Sequence, residues 1–479
     1  MKSSENQEQQ KNKFLIPMKR RDFVKTLGAC AAALAAPGCA RRRTLEPSPP
    51  NIILIVTDDQ RYDALGCAGN PIIHTPVMDD LVSRGIRFEK AFVTTPICTA
   101  SRASIFTGLY ERSHGYTFTK PPLSSALMDK SYPYLLRRAG YHTGLVGKFG
   151  IKVQDGVVNA MFDRFRSTAY PYFKEEDGEK RHLTDIHGDL ALAFLRERPN
   201  DRPFCLSLSF WAPHADDGST QQYFWPEACG ELYRDVVIPP PPTSEPEFFE
   251  ALPDFLKSSL NRVRWSWRFD TPEKYQAMVK GYYRMICGID RVIGRLQEEL
   301  VRQGIEHNTV IMFISDNGYF LGERGFAGKW LMHEPSIRVP LIIYDPRLSP
   351  APGGRVIIEP ALNLDLAPTL LEMAGVPVPE KMQGRSLVPL MRNPTRPFRT
   401  EVFCEHLWNH PQIPRTEALR TGGWKYIRYM DHPEYEELYD LTDDPYESRN
   451  LASDPGQSSR LQNMRRRCRE LAEQAASKK

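Results

Sequence analysis

The residues able to do chemistry fall in a few places. Two adjacent pairs, Asp58-Asp59 and Asp316-Asn317, offer only oxygen ligands, and Lys148, His214 and Lys329 are isolated bases. Cys98 lies four residues before Arg102 in PICTASRASIFTG. Oxygen-only pairs suit a hard cation rather than zinc, and Ca²⁺ better than Mg²⁺, because carboxylates and an amide can gather around it without strict octahedral geometry. Close carboxylates repel one another, and a cation relieves that repulsion. By residue type alone, Cys98 could pack, pair, bind metal or react. CTASRASIFTG reads as a helix that begins just after the cysteine and ends at Gly108. There Cys98 meets the positive end of the helix dipole, with Arg102 one turn on. Helix end, guanidinium and cation together make an anion site. Each residue also has an ordinary reading. An Asp after a strand is a common helix N-cap, the lysines fit solvated loops, and Cys98 fits a buried thiol.

Position separates the two readings. NIILIVT runs into Asp58-Asp59, GLVG into Lys148, CLSLSFWAP into His214, and VIMFIS into Asp316-Asn317. Each is a short apolar run of the kind that forms a buried strand. In open α/β sheets, ligands bind at the carboxyl ends of the strands. Helical segments alternate with these strands: PVMDDLVSRG, YPYLLRRAG, IHGDLALAFLRER, the long stretch 273–303, and LAPTLLEMAG ending near Gly375. The alternation predicts an α/β fold, a large mixed sheet flanked by helices. Residues 212–272 read as a largely irregular, Pro-rich insertion lining a cleft. VFCEHLW, EALRTGGWKYIRYM and EELYDL read as antiparallel strands, so a smaller C-terminal antiparallel-sheet domain, 393–479, is expected after a catalytic domain, 51–392. The basic run around Cys468 reads as a terminal amphipathic helix.

With 479 residues, 41% hydrophobic and 25% charged, the chain can bury a sizeable core. A net charge of +4 gives no support for a nucleic-acid partner. Nine cysteines without a CxxC pair form no disulfide framework or zinc site. Residues 18–40 read as a signal peptide, with a basic start, an Ala-rich apolar stretch and small residues. Arg20-Arg21 resembles a twin-arginine export signal. APGC, ending at Cys39, resembles a lipoprotein cleavage box with Ala36 where Leu is usual. Residues 1–17 are a leader or a mis-called start, and 41–50 a linker. The expected location is exported, periplasmic or lipid-anchored at a bacterial cell envelope, with the export machinery and a lipid anchor as partners.

CTASRASIFTG resembles the sulfatase signature, C-x-[Pro/Ala]-S-R, four residues, then T-G. IVTDDQRYDALGC, VGKFG, APH, SDNGYFLGERG, GKWLMHEPSIRVPLII, ALRTGGWKYI and ELYDLTDDPYESRNLA resemble sulfatase segments in the family's order. The resemblance implies an alkaline-phosphatase-like fold and oxidation of Cys98 to Cα-formylglycine by a maturase. The aldehyde hydrate would be the nucleophile. Asp58, Asp59, Asp316 and Asn317, with the converted Cys98, match the family's Ca²⁺ ligands. Arg102 would hold the diol, and Asp316 would help deprotonate it. Lys148 and Lys329 would bind sulfate oxygens, and His214 would protonate the leaving alcohol.

Two positions depart from the pattern. Many sulfatases have Gly-Lys, an aromatic residue, then His, whereas this chain has Gly147-Lys148-Phe149-Gly150. Glucosamine-6-sulfatases lack that His as well, and His142 is a substitute candidate. Ala100 stands where many sulfatases have Pro, which resembles substrates of the anaerobic radical-type maturase. Cytoplasmic maturation is compatible with twin-arginine export of a folded enzyme. KWLMHEPSIRVPLII resembles the K-x-x-M-Y-E segment of sulfatases acting on sulfated sugars, with His333 replacing the aromatic. His406, Trp408 and His410 in CEHLWNH are the other candidate sugar contacts, expected to be exposed. The expected substrate is a carbohydrate O-sulfate such as a 6-O-sulfated hexosamine. A phosphonate or phosphate ester hydrolase of the same fold is the first alternative, disfavoured because no second Asp/His cluster is evident. An inactive lipoprotein that binds sulfated glycans is the second, disfavoured by retention of the whole reactive set.

Overall fold

Along the strand Asn51–Thr57, side chains alternate between two apolar layers. Ile53 and Ile55 join Leu206, Leu208, Ile311 and Phe313 on one face. Ile52, Leu54 and Val56 join Cys205, Val310, Met312 and Ile314 on the other. A strand buried on both faces needs an unbroken apolar run, which is what NIILIVT supplies. The computed structural model describes residues 49–176, 178–348 and 353–477, so the expected leader, signal peptide and lipidation box lie outside the described residues.

The central sheet has eight strands, in the order 355–357, 86–88, 341–344, 309–315, 51–57, 204–209, 142–147 and 164–167. The last five are mutually parallel, and 341–344 runs antiparallel to both neighbours, so the sheet is mixed. Helices Leu183–Glu197 and Pro272–Arg302 cover the first layer. Helices Cys98–Thr107, Tyr132–Arg138 and Leu366–Met373 cover the second. The 31-residue helix starts on a Thr271 cap that accepts from Lys274 N at 3.2 Å, with Pro272 in its first turn. At ~1.5 Å per residue it spans about 46 Å, the longest helix among the described residues.

The insertion between 212 and 272 is less irregular than expected. It contains the helices Pro246–Glu250, Asp254–Lys257 and Leu260–Arg268. The last of these buries Asn261 and Arg268, while Leu260, Val263 and Trp267, recurring at helical spacing, stay half-buried or exposed, so its apolar period does not mark the face it packs.

Strands Glu401–His406, Thr416–Thr421, Trp424–Tyr429 and Glu436–Asp440 form a four-stranded antiparallel sheet. One face packs Phe403, Leu419, Tyr426 and Leu438 against Leu461, Met464, Cys468 and Ala472 of the terminal helix Ser458–Ser477. The other packs Val402, Cys404, Ala418 and Ile427 against Phe326, Leu331 and Ile337. This second face couples the small sheet to the segment that carries Lys329. No helix among the described residues is long and apolar enough to cross a membrane.

Near this junction Glu111 is buried, its carboxylate accepting from Leu407 N at 3.1 Å. Burial, then the neighbouring Glu405 carboxylate, push Glu111 up to about 8 from its ordinary 4.5. The folded state therefore holds a proton that the unfolded chain releases. The resulting stabilisation is complete below pH 4.5 and is lost as pH rises through about 8. Urea unfolding across that window should show stability falling with pH by a few kcal/mol. Glu111→Gln should flatten the slope.

Candidate active site

The parallel strands 309–315, 51–57, 204–209 and 142–147 end on one edge. Backbone bonds extend their register into the loops: Asp316 N donates to Thr57 O at 3.0 Å, Asp58 N to Ala212 O at 3.2 Å, and Lys148 N to Ser209 O at 2.7 Å. Asp58, Asp59, Asp316, Asn317 and Lys148 thereby meet at a single point. Asp59 takes φ +68°, a left-handed conformation that costs about 1 kcal/mol or more outside glycine and concentrates at functional sites.

Cys98 is the first residue of its helix, not the residue before it, and all ten residues from Cys98 to Thr107 are buried. Ile97 offers no side-chain cap, so the amide end of the helix faces the cluster. Arg102 Nε donates to Asp316 Oδ2 at 2.7 Å. Its Nη1 donates to Lys148 O at 2.9 Å and also to Ser209 Oγ. Lys148 Nζ pairs with Asp58 Oδ2. Lys329 Nζ lies 2.5 Å from Asp59 Oδ1 and 3.6 Å from Asp58 Oδ1. Three carboxylates and three cations are thus closed off together, each at most 5% exposed.

The donor set fits a hard cation. Asp58 Oδ1, Asp59 Oδ2 and Asn317 Oδ1 are buried oxygens with no hydrogen-bond partner. Leaving such groups unsatisfied costs about 1–3 kcal/mol each, more when charged, and a cation with oxygen ligands would satisfy all three. Asn317 Nδ2 donates to Asp59 Oδ1 at 2.5 Å, which fixes the amide with its oxygen turned away from that donor. Asp58, Asp59 and His214 each have a ligand atom within 4.8 Å of the others. Burial would raise Asp58, but the Lys148 and Lys329 ammoniums override it and hold the carboxyl far below the usual range. Burial and the Asp58 charge push Asp316 up to about 7. Burial also pushes the Cys98 thiol up, against the pull of Lys148 and Lys329. As a thiol, Cys98 is therefore a poor source of thiolate, despite its place at a helix start.

His214 Nε2 faces Asp59 Oδ2 at 3.7 Å. Its Nδ1 lies 2.6 Å from Ala215 O, and a carbonyl can only accept, so Nδ1 carries the hydrogen. Tyr170 OH lies 2.8 Å from the same nitrogen. Burial holds His214 below its ordinary value although Asp59 and Asp58 oppose this. Tyr170 packs on Trp211 with ring centres 4.5 Å apart, and Lys148 Nζ lies 4.3 Å from the centre of the Trp211 ring. One aromatic pair thus braces both His214 and Lys148. Sequence reasoning missed Tyr170, Trp211 and Ser209. Trp211 and Ser209 sit in the CLSLSFWAP segment and could have been flagged by its strand-end position, but nothing local marks Tyr170.

The loop after Lys148 explains the absent His. A Cβ on Gly150, the residue in that slot, would lie 2.4 Å from Arg102 Cδ, and Gly150 has φ +74°. Arg102 occupies the room a side chain would need. His142 does not replace it. It begins the strand that Lys148 follows, so it lies at the opposite end, stacked on Phe194 at 5.2 Å and 3.5 Å from Asp163.

The expected sugar contacts divide. His333 is 1% exposed, with Nε2 2.8 Å from Glu437 Oε2, and His406 is fully buried at a strand end. Neither is presented to solvent, which corrects the expected exposure of His406; His333 is enclosed where the Lys329 segment packs on the small sheet. Trp408 and His410 are half-buried and adjoin each other at 4.8 Å, with Phe118 5.1 Å from Trp408. Trp408 packs on a cluster of Ile97, Ala100 and Trp330, next to both Cys98 and Lys329.

The sulfatase family profile matches residues 50–376, and that of the N-sulphoglucosamine sulphohydrolase C-terminal region matches 322–474. An N-acetylglucosamine-6-O-sulfatase of Bacteroides thetaiotaomicron is 30% identical, with 88% of this chain and 86% of that protein covered. A solved structure of a protein in complex with its substrate D-glucosamine-2-N,6-O-disulfate superposes with a TM-score of 0.79 at 25% identity, covering 89% of this chain and 98% of that one. A phosphonate monoester hydrolase of Agrobacterium radiobacter shares the fold, with a TM-score of 0.72 at 22% identity over 89% of this chain and 96% of that one. The fold is that of the alkaline-phosphatase-like hydrolases. Within that class the chain belongs to the sulfatase family and is an enzyme of sulfate ester hydrolysis.

Proposed function

We propose that the protein releases sulfate from an O-sulfated sugar, a 6-O-sulfated hexosamine, using a formylglycine made from Cys98. The observation that carries this reading is the enclosure of one buried cysteine, with its thiol held protonated, by three unsatisfied oxygens, Arg102 and two lysines. A thiol so placed is poorly suited to attack, and well placed to be a precursor. The named relative and the disulfated-glucosamine complex support a sugar substrate. The aromatic group of Phe118, Trp408 and His410, packed beside Ile97 and Trp330, supports it independently.

Asp58, Asp59, Asp316 and Asn317, with an oxygen of the converted Cys98, would hold Ca²⁺. When bound, the ion supplies positive charge that stabilises an oxygen anion. Lys148 and Lys329 bind the sulfate oxygens and neutralise charge that develops on them. One hydroxyl of the aldehyde hydrate, oriented by Arg102, attacks sulfur and loses its proton to Asp316. The S–O bond to the sugar breaks, and His214 gives the leaving oxygen a proton from Nε2. Because Nδ1 already holds its hydrogen on Ala215 O, the ring must first take that proton from solvent, and the Asp59 and Asp58 charges favour the resulting imidazolium. The second hydroxyl then loses its proton, the C–O bond to sulfate breaks, and the aldehyde re-forms as sulfate departs. Water restores the hydrate. Tyr170 and the Ala215 carbonyl hold His214 in register.

A formylglycine-installing maturase is a necessary partner, and Ala100 favours the anaerobic radical type. Residues 18–40 favour twin-arginine export to the periplasm or a lipid-anchored place on the cell envelope.

The test is sulfate release from a panel of aryl and sugar sulfates, with phosphate esters alongside. Comparable turnover of phosphate esters would overturn the reading. His214→Ala should lower kcat for a sugar sulfate by about 10²- to 10⁴-fold. The same variant should lose far less on nitrophenyl sulfate, whose leaving group needs little protonation. Equal losses on both would remove His214 from the acid role.

A further inference from the structure

A charged cluster outside the set above lies against the segments that carry His214 and Lys329. Arg264 and Arg268, one turn apart on the Leu260–Arg268 helix, both donate through Nη2 to Asp217, one to each carboxylate oxygen. One carboxylate against two guanidiniums leaves one positive charge uncompensated. Arg268 is fully buried and serves as the brace. Arg264 is 12% exposed, and only its Nη2 has a partner, Nε being buried and unbonded. Its guanidinium carbon lies 4.7 Å from the centre of the Trp330 ring. Trp330 follows Lys329, and Asp217 comes three residues after His214. Arg264 therefore stands between the segment that holds the sulfate-binding lysine and the segment that holds the proton donor. The helix is locked to the first of these, since Asn261 Nδ2 donates to Lys329 O at 2.9 Å and to Ala327 O at 3.1 Å.

A partly desolvated guanidinium with free donors is costly unless an anion completes it. Its Nη1 and the second hydrogen of Nη2 remain to meet a sulfate or carboxylate oxygen. We propose that Arg264 forms a second anion subsite, which takes a negatively charged substituent on the sugar bearing the scissile sulfate or on its neighbour. This rests on the sulfated-sugar reading above and names a specificity device within it.

The experiment compares kcat/KM of wild type, Arg264→Ala and Arg264→Lys on three probes. These are glucosamine 6-O-sulfate, glucosamine 2-N,6-O-disulfate, and a 6-O-sulfated hexosamine linked to a uronic acid. A charge-assisted hydrogen bond is worth about 10- to 100-fold, so wild type should prefer at least one doubly charged probe by that factor. Arg264→Ala should erase the preference, and Arg264→Lys should keep part of it. The probe whose advantage collapses identifies the second anion as N-sulfate or carboxylate. Equal loss on all three probes would make Arg264 a mere prop for Trp330 and overturn the subsite, as would a wild type without preference. Turnover of the monosulfated sugar without any preference sinks the subsite alone. No sulfate release from any probe sinks the sulfated-sugar reading, and the subsite with it. Thermal unfolding of each variant separates these outcomes from loss of fold.

Discussion

Replacing Cys98 by alanine is expected to lower kcat/KM for sulfate esters by about 10⁴- to 10⁶-fold, the scale of removing a nucleophile. The fold should survive. Cys98 makes no hydrogen bond or disulfide that alanine would lose, and the change deletes a single sulfur atom. Cys98→Ser is the more informative substitution. Its one hydroxyl can take sulfur from the substrate, but no second hydroxyl remains on that carbon to expel sulfate. The expected result is at most one turnover, with sulfate left esterified to residue 98 and visible as added mass. Steady multiple turnover by Cys98→Ser would show that a geminal diol is not needed.

Removal of the cation is expected to have the next largest effect. Asp58 Oδ1, Asp59 Oδ2 and Asn317 Oδ1 are buried without hydrogen-bond partners, and Lys148 and Lys329 lean on the same two aspartates. A chelator should therefore lower activity by about 10²-fold or more, the loss that follows when charge stabilisation is withdrawn from a preorganised site. Restored Ca²⁺ should return it. Calcium at a hundredfold excess over its Kd should add about 2.7 kcal/mol to folding stability. Asp58→Asn should lose both the activity and the calcium-dependent rise in Tm. Activity restored by Zn²⁺ and not by Ca²⁺ would instead favour the grouping of Asp58, Asp59 and His214.

The parts of the fold that apolar pattern controls were legible in the sequence. NIILIVT and TVIMFIS are nearly continuous apolar runs because both sheet faces are covered, CLSLSF interleaves the small buried Ser207 and Ser209, and the strand ends converge as strand polarity requires. The terminal helix showed its stripe of Leu461, Met464 and Cys468. The Leu260–Arg268 helix was hidden because it buries Asn261 and Arg268, whose role is to bond Lys329 O and Asp217. Its apolar residues Leu260, Val263 and Trp267 recur at helical spacing but are not the ones it buries. Tyr170 was hidden for a different reason: it reaches His214 across 44 positions of chain, and only tertiary packing brings them together. His406 misled because its segment, CEHLWNH, looks polar, yet the strand Glu401–His406 runs one residue further into the core than its composition implies. The absent His after Lys148 became intelligible only when Arg102 was found in its place.

The most direct test of a formylglycine mechanism is mass spectrometry of the tryptic peptide 91–102, bounded by Lys90 and Arg102, from protein produced together with an anaerobic-type maturase. The predicted result is loss of the Cys98 sulfur as the side chain becomes an aldehyde, with turnover proportional to the converted fraction. An intact Cys98 thiol in fully active protein would contradict it.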